Sequence, residues 1–179
     1  MAKLCGVRYI YGTDLLNYRV HVGEKFGVDF SFNAKTLDTV ETIMEKTGGR
    51  GVDMVFECAR SAETPGLACR VLRPAGRAIL VGISGEAENV FPVDKARRKE
   101  LTLKWCRRFR FNYPTAIHLV ADGKVDLTSL ITHVFPLERT REAFELVTNA
   151  EDNVLKAVVE QATSRREARA NEVPKSHYD

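Results

Sequence analysis

The sequence lacks any long apolar run. None approaches the ~18 residues that a membrane-spanning helix needs, so no membrane partner is expected. Its first residues, Met1-Ala2-Lys3-Leu4-Cys5-Gly6, are too few and too weakly apolar for a secretory signal. Cysteine is sparse: Cys5, Cys58, Cys69 and Cys106 stand apart, with no CxxC pair. This spacing argues against a disulfide framework and a zinc knuckle, and a reduced, cytoplasmic setting is the expectation. An excess of one charge is missing too. A formal net charge of +3 over 179 residues is too small for a dedicated nucleic-acid or membrane binder. Arg97, Arg98 and Lys99, with Arg107, Arg108 and Arg110, form a basic cluster. It interleaves with no aromatic beyond Phe109 and Phe111, so a solvated face or interdomain contacts is the better reading. The histidines at 21, 118, 133 and 177 are too dispersed for a metal site, and His133 is read as structural.

What is present is ordinary for a globular protein: 44% hydrophobic and 28% charged residues in a chain of one-domain length. Helix and strand signals alternate. Val7–Tyr11 reads as a short buried strand, with a helix from Leu15 to Phe26 behind it. Val28–Phe32 follows as a strand, then a helix from Leu37 to Thr47 with Thr36 as its cap. Val52–Glu57 is apolar enough for a strand covered on both faces. A helix is predicted over 62–72, a turn at Pro74-Ala75-Gly76, and a buried strand over 78–81. Val90 and Phe91 read as a short strand, 94–100 as a charged turn and 101–105 as a strand. Pro114 opens a helix to Asp122 with Ile117, Val120 and Ala121 inward, and Leu127–Leu130 reads as a helical turn. A strand at 132–135, a helix over 140–147 burying Ala143, Phe144 and Val147, and a strand at 154–160 complete the pattern. Everything after Gln161 is polar and without periodicity, and is expected to be disordered. Such alternation implies an α/β fold with a parallel, doubly wound sheet.

Asp14 closes the first of these strands. An acidic residue at the end of the second strand of a βαβ unit holds the ribose hydroxyls of a dinucleotide. The glycine-rich phosphate loop of that unit belongs about 20 residues upstream, and only 13 residues precede Asp14. Asp14 is therefore expected to be half of a cofactor site whose other half lies outside this chain.

Several motifs then occur in order. Thr47-Gly48-Gly49-Arg50-Gly51-Val52-Asp53 precedes Phe56-Glu57-Cys58. Asp94 to Leu101 follows, then Arg108-Phe109 with Tyr113-Pro114, Gly123 to Leu127, and Ile131 to Glu138. This set resembles the medium-chain dehydrogenase/reductase family, and within it the zinc-dependent sorbitol and xylitol dehydrogenase branch. The resemblance covers roughly residues 2–160 and implies a Rossmann-type sheet lacking its first strand and phosphate loop. It implies NAD as cofactor, a polyol as substrate, and a homo-oligomer. Zinc is implied by the family, but its ligands are not in this sequence. Residues 1–130 are then an incomplete NAD-binding domain, 131–160 a segment that in the family returns to the catalytic domain, and 161–179 a tail.

By position, the resemblance implies that Asp14 accepts both adenosine-ribose hydroxyls, with Arg19 beside that ribose. Val81, Gly82 and Ile83 line the nicotinamide half. Cys106, Arg107 and Arg108 form the segment that closes over the nicotinamide, and Arg108 and Phe109 face the substrate. A carboxylate at Asp14 favours NAD over NADP because it repels a 2′-phosphate. Two residues depart from the family pattern: Arg60 stands where a glycine is usual, and Ala75 replaces the first glycine of a pair. Cys58 is read as a small buried packing residue. The chain is expected to be inactive alone. An interaction module, and a truncated product without function, are the alternatives.

Overall fold

A computed structural model of the chain describes residues 1–109 and 111–161; the tail expected to be disordered lies outside the described residues. The chain divides after His118 into two compact units. In the first, β1 (Tyr11–Asp14), α1 (Asn17–Lys25), β2 (Phe30–Asn33), α2 (Thr39–Lys46), β3 (Val52–Glu57), α3 (Thr64–Val71), β4 (Leu72–Leu80), α4 (Val93–Arg98) and β5 (Thr102–Trp105) follow one another. α5 (Tyr113–Ala121) runs through the division. The second unit holds β6 (Ile131–Pro136), α6 (Thr140–Asn149) and β7 (Lys156–Glu160).

Every strand pairing is parallel. β1 pairs with β2 in a two-stranded sheet, β3-β4-β5 form a three-stranded sheet, and β6 pairs with β7 around the crossover helix α6. Among the described residues β1 and β3 each have one neighbour, so each leaves a row of backbone groups unpaired. This is the α/β, parallel, Rossmann-type arrangement expected with its first strand absent.

Two small cores form under the helices. Ala68 of α3 packs with Leu72, Ala78 and Leu80 of β4, and Val55, Leu101 and Leu103 lie against them. Phe32, Ile43 and Val71 make the second, against which Tyr11 of β1 and Val52 and Val55 of β3 also pack. β1 and β3 therefore both flank one cluster.

Several boundaries differ from expectation for local reasons. The first strand starts at Tyr11, not Val7, because the Ile10 N–H donates to the Asp29 carboxylate (2.7 Å) rather than to a ladder. Asp38, not Thr36, caps α2, accepting from Glu41 N at 2.8 Å. The turn at Pro74-Ala75-Gly76 lies inside β4 as a bulge: the register passes from Val52↔Leu72 to Met54↔Arg77. Val90 and Phe91 carry no strand. Most of the expected charged turn at 94–100 is helical, with Asp94 paired to Arg97 (3.1 Å) and Arg98 (2.9 Å) one turn on. In α5 Ile117 is 63% exposed and nothing is buried, and in α6 Ala143 is buried while Phe144 is 70% exposed and Val147 also exposed. No helix among the described residues is long and apolar enough to cross a membrane.

Candidate functional site

Ligands of open parallel sheets sit beyond the carboxyl ends of the strands. Three such ends meet in the first unit. At the end of β3, the Glu57 carbonyl accepts from both Val81 N (2.8 Å) and Gly82 N (2.9 Å) as the chain leaves β4. On the other side Cys106 N, just past β5, donates to Leu80 O at 2.8 Å. Val81, Gly82 and Ile83 are thereby held between the ends of β3 and β5, with the side chains of Val81 and Ile83 exposed.

Gly82 has no room for a side chain. A methyl there would fall 1.9 Å from the Ala59 carbonyl oxygen and 2.6 Å from Glu57 Oε2. The turn after β3 therefore lies directly against Gly82. Glu57 sets that turn: its Oε1 accepts from Ala59 N (2.8 Å) and from the Thr64 hydroxyl (2.7 Å) at the start of α3. It is the buried charged residue among those described, at 6% exposure. Sequence reading quoted Glu57 only inside a motif. The available signal was a glutamate ending an otherwise apolar strand.

Beyond β5, the Cys106 thiol donates to the Arg108 carbonyl at 3.6 Å, curling the segment 106–108 on itself. Arg107 and Arg108 are exposed. Phe109 packs edge-on against Tyr113, ring centroids 4.6 Å apart. Cys58 is exposed, which corrects its reading as a buried packing residue. Its position just past the end of β3 turns it out of the core. Its thiol pKa is raised by partial burial, and further by the Glu57 carboxylate and by Cys106. Cys69 in α3 is the buried cysteine.

Asp14 and Arg19 belong to the other sheet. Asp14 ends β1 half-buried, opposite Asn33 of β2. Its Oδ1 accepts from Leu16 N at 3.0 Å, turning the chain into α1. Its Oδ2 has no partner among the described residues. Arg19 lies on α1, where its Nε donates to the Tyr18 hydroxyl (3.1 Å) and its guanidinium stands 5.6 Å over that ring. No ion pair joins it to Asp14 among the described residues. The structure thus groups Val81, Gly82, Ile83 and Cys106–Phe109 at the ends of β3-β4-β5, and Asp14 and Arg19 at the end of β1.

Zinc does not fit. Among the described residues no three His, Cys, Asp or Glu side chains converge to hold a metal ion. His133 instead bonds Thr132 Oγ1 (2.9 Å) and Asp152 (3.1 Å) in the second unit.

Known proteins share this arrangement. The chain is 30% identical over 162 residues to an alcohol dehydrogenase of Cupriavidus necator, covering 88% of this chain and 44% of the relative. It is 30% identical over 165 residues to a D-xylulose reductase of Saccharomyces cerevisiae, covering 89% and 46%. A solved oxidoreductase/dehydrogenase of unknown specificity from Escherichia coli superposes with a TM-score of 0.83 at 28% identity, over 89% of this chain and 46% of that one. The chain spans just under half the length of these relatives. The family model described as zinc-binding dehydrogenase matches residues 1–122. With its parallel strands, its converging carboxyl ends and that match, the chain belongs to the zinc-binding dehydrogenase family.

Proposed function

We propose that this chain is the NAD-binding portion of an oxidoreductase that moves hydride from the carbon of a secondary alcohol group of a polyol to NAD. One observation carries the reading: the turns leaving β3, β4 and β5 converge on Val81-Gly82-Ile83, while Asp14 offers an unpartnered carboxylate oxygen at the end of β1. Asp14 Oδ2 accepts from the adenosine-ribose hydroxyls, and the same charge disfavours the 2′-phosphate of NADP. Arg19 lies beside the ribose, braced by Tyr18. Val81, Gly82 and Ile83 form the wall for the nicotinamide ring, and Cys106, Arg107 and Arg108 close over it. Arg108 and Phe109 face the substrate hydroxyls. NAD supplies the hydride acceptor when bound. No step is assigned to zinc, which finds no ligand set among the described residues. Residues 1–130 serve the coenzyme, and 131–160 pack on the catalytic domain of the whole enzyme. The four free cysteines accord with a reducing, cytoplasmic setting.

The test is NAD binding by calorimetry on the full chain. Saturable binding that is lost in Asp14→Ala is expected. No binding by the unaltered chain overturns the reading. The chain alone is further expected to be inactive, and ordinary turnover of sorbitol or xylitol with NAD would refute that.

One observation favours a second role as an interaction module. β5 is an edge strand with Trp105 64% exposed, so it is open to pairing with another copy or with a full-length relative. Size-exclusion of the chain mixed with an intact polyol dehydrogenase decides this, and an unchanged elution volume counts against it.

A further inference from the structure

Asn33 ties together the pieces of backbone that surround Asp14. It ends β2 and lies opposite Asp14 in the parallel register. Its amide nitrogen donates to both flanks of the turn that leads from β1 into α1: to the Leu15 carbonyl at 3.3 Å and to Asn17 Oδ1 at 2.5 Å. A terminal amide has two N–H donors, and this turn takes both. The Asn33 Oδ1 accepts from Lys35 N at 2.8 Å, which bends the chain leaving β2. Ala34 N, the next along, donates to the Asp14 carbonyl at 3.0 Å.

Leu16 stands between the two anchor points of that clamp. Its N–H is the donor to Asp14 Oδ1, at 3.0 Å. Leu16 is also the N-terminal cap of α1, and no side chain caps the helix there. A leucine cannot accept a hydrogen bond as Ser, Thr, Asp or Asn does at that position. The Asn33 clamp therefore takes over the work of a cap, setting how the chain enters α1 and where the Leu16 N–H points. The terminal torsion of an aspartate is broad and roughly two-fold. A fixed Leu16 N–H settles it, committing Oδ1 to the turn and leaving Oδ2 for a ligand.

We propose that Asn33 is a positioning residue for the adenosine ribose: by clamping Leu15 and Asn17 it fixes the aim of the Asp14 carboxylate, and with it the preference for a 2′-hydroxyl over a 2′-phosphate. Asn33 acts through Asp14 rather than on the coenzyme. The inference rests on the NAD reading above.

The experiment measures the dissociation constants of NAD+ and NADP+ on the full chain by calorimetry and takes their ratio. The two ligands differ only at the 2′ position. General loosening of the fold weakens both by one factor and leaves the ratio unmoved, whereas a re-aimed Asp14 changes it. Asn33→Ala removes both arms of the clamp. It is expected to weaken NAD+ about tenfold, the scale of a hydrogen bond to a charged group, and to leave NADP+ nearly unchanged. Asn17→Ala removes one arm, keeps the strand ladder and puts the best helix former at the first position of α1. It is expected to move the ratio the same way by about threefold, the scale of a neutral hydrogen bond. An Asn33→Ala protein with the ratio of the unaltered chain overturns the inference and leaves the NAD reading standing. Binding of neither coenzyme by the unaltered chain overturns both. If Asn33→Ala does not fold, Asn17→Ala decides: an unchanged ratio there overturns the proposal.

Discussion

Gly82 and Ala75 sit at opposite ends of the question of which backbone positions tolerate a side chain. At Gly82 the neighbouring Ala59 carbonyl closes the space, so Gly82→Ala is expected to destabilise the fold by about 1–3 kcal/mol, read as a lower melting temperature. Ala75 holds a left-handed φ of 55° inside the β4 bulge, a conformation that glycine adopts without a Cβ penalty. Ala75→Gly is therefore expected to stabilise by about 0.5–1 kcal/mol in a denaturant melt. The departure from a glycine pair was visible in the sequence, but its sign was not, because only the bulge reveals the positive φ. Cysteine exposure was misjudged in the same way. Composition favours burial of a free thiol, whereas position just past a strand end exposes Cys58. Alkylation is carried by the thiolate, so the raised pKa of Cys58 is expected to make it label slowly at neutral pH, and buried Cys69 slowest of all. Added NAD is expected to protect Cys58 and Cys106 but not Cys5, as mass spectrometry of iodoacetamide-treated protein would show.

At the scale of elements, the start of β3 is tied to its neighbours by charge. Asp53 takes Arg50 from the preceding turn (2.7 Å) and Arg73 from β4 (2.6 Å), and these guanidiniums hold its carboxyl far below the usual range. A depressed carboxylate stabilises the fold above its unfolded pKa of about 3.9, and that contribution is lost as pH falls toward the folded value. Asp53→Asn is thus expected to lower the melting temperature at pH 7 by the equivalent of under about 1 kcal/mol, since the pair is exposed, with the gap to the unaltered chain narrowing below about pH 4. The unpaired edge of β3 is the other exposed feature of this sheet. Phe56 is 59% exposed on it, and such an edge invites pairing between copies. Phe56→Lys is expected to reduce concentration-dependent association in sedimentation velocity. The order of strands and helices was legible because period 2 and period 3.6 are local properties. The faces of α5 and α6 were not. Periodicity marks Ile117, Phe144 and Val147 as needing cover, and says nothing about whether another surface covers them.

For the molecule as a whole, the family was legible from an ordered set of motifs, several of which, such as those at 47–53, 56–58 and 123–127, fall in turns and strand ends where backbone geometry dictates residue type. The grouping of the candidate site was half legible: residues 81–83 and Cys106 are held side by side because β3, β4 and β5 are neighbours, a consequence of topology that spacing alone does not encode. Glu57 escaped notice because its importance lies in burial and in the turn that its carboxylate organises through Ala59 N and Thr64 Oγ1. Binding is expected to raise stability by mass action, so saturating NAD should lift the thermal midpoint of the unaltered chain and leave that of Asp14→Ala unmoved. The unpaired edges of β1 and β3, flanking the Phe32–Ile43–Val71 cluster, have a practical meaning. They make the chain one half of a split-protein pair: a synthetic parallel strand supplied in trans would be scored by its own insertion, as a rise in the melting point of the complemented whole.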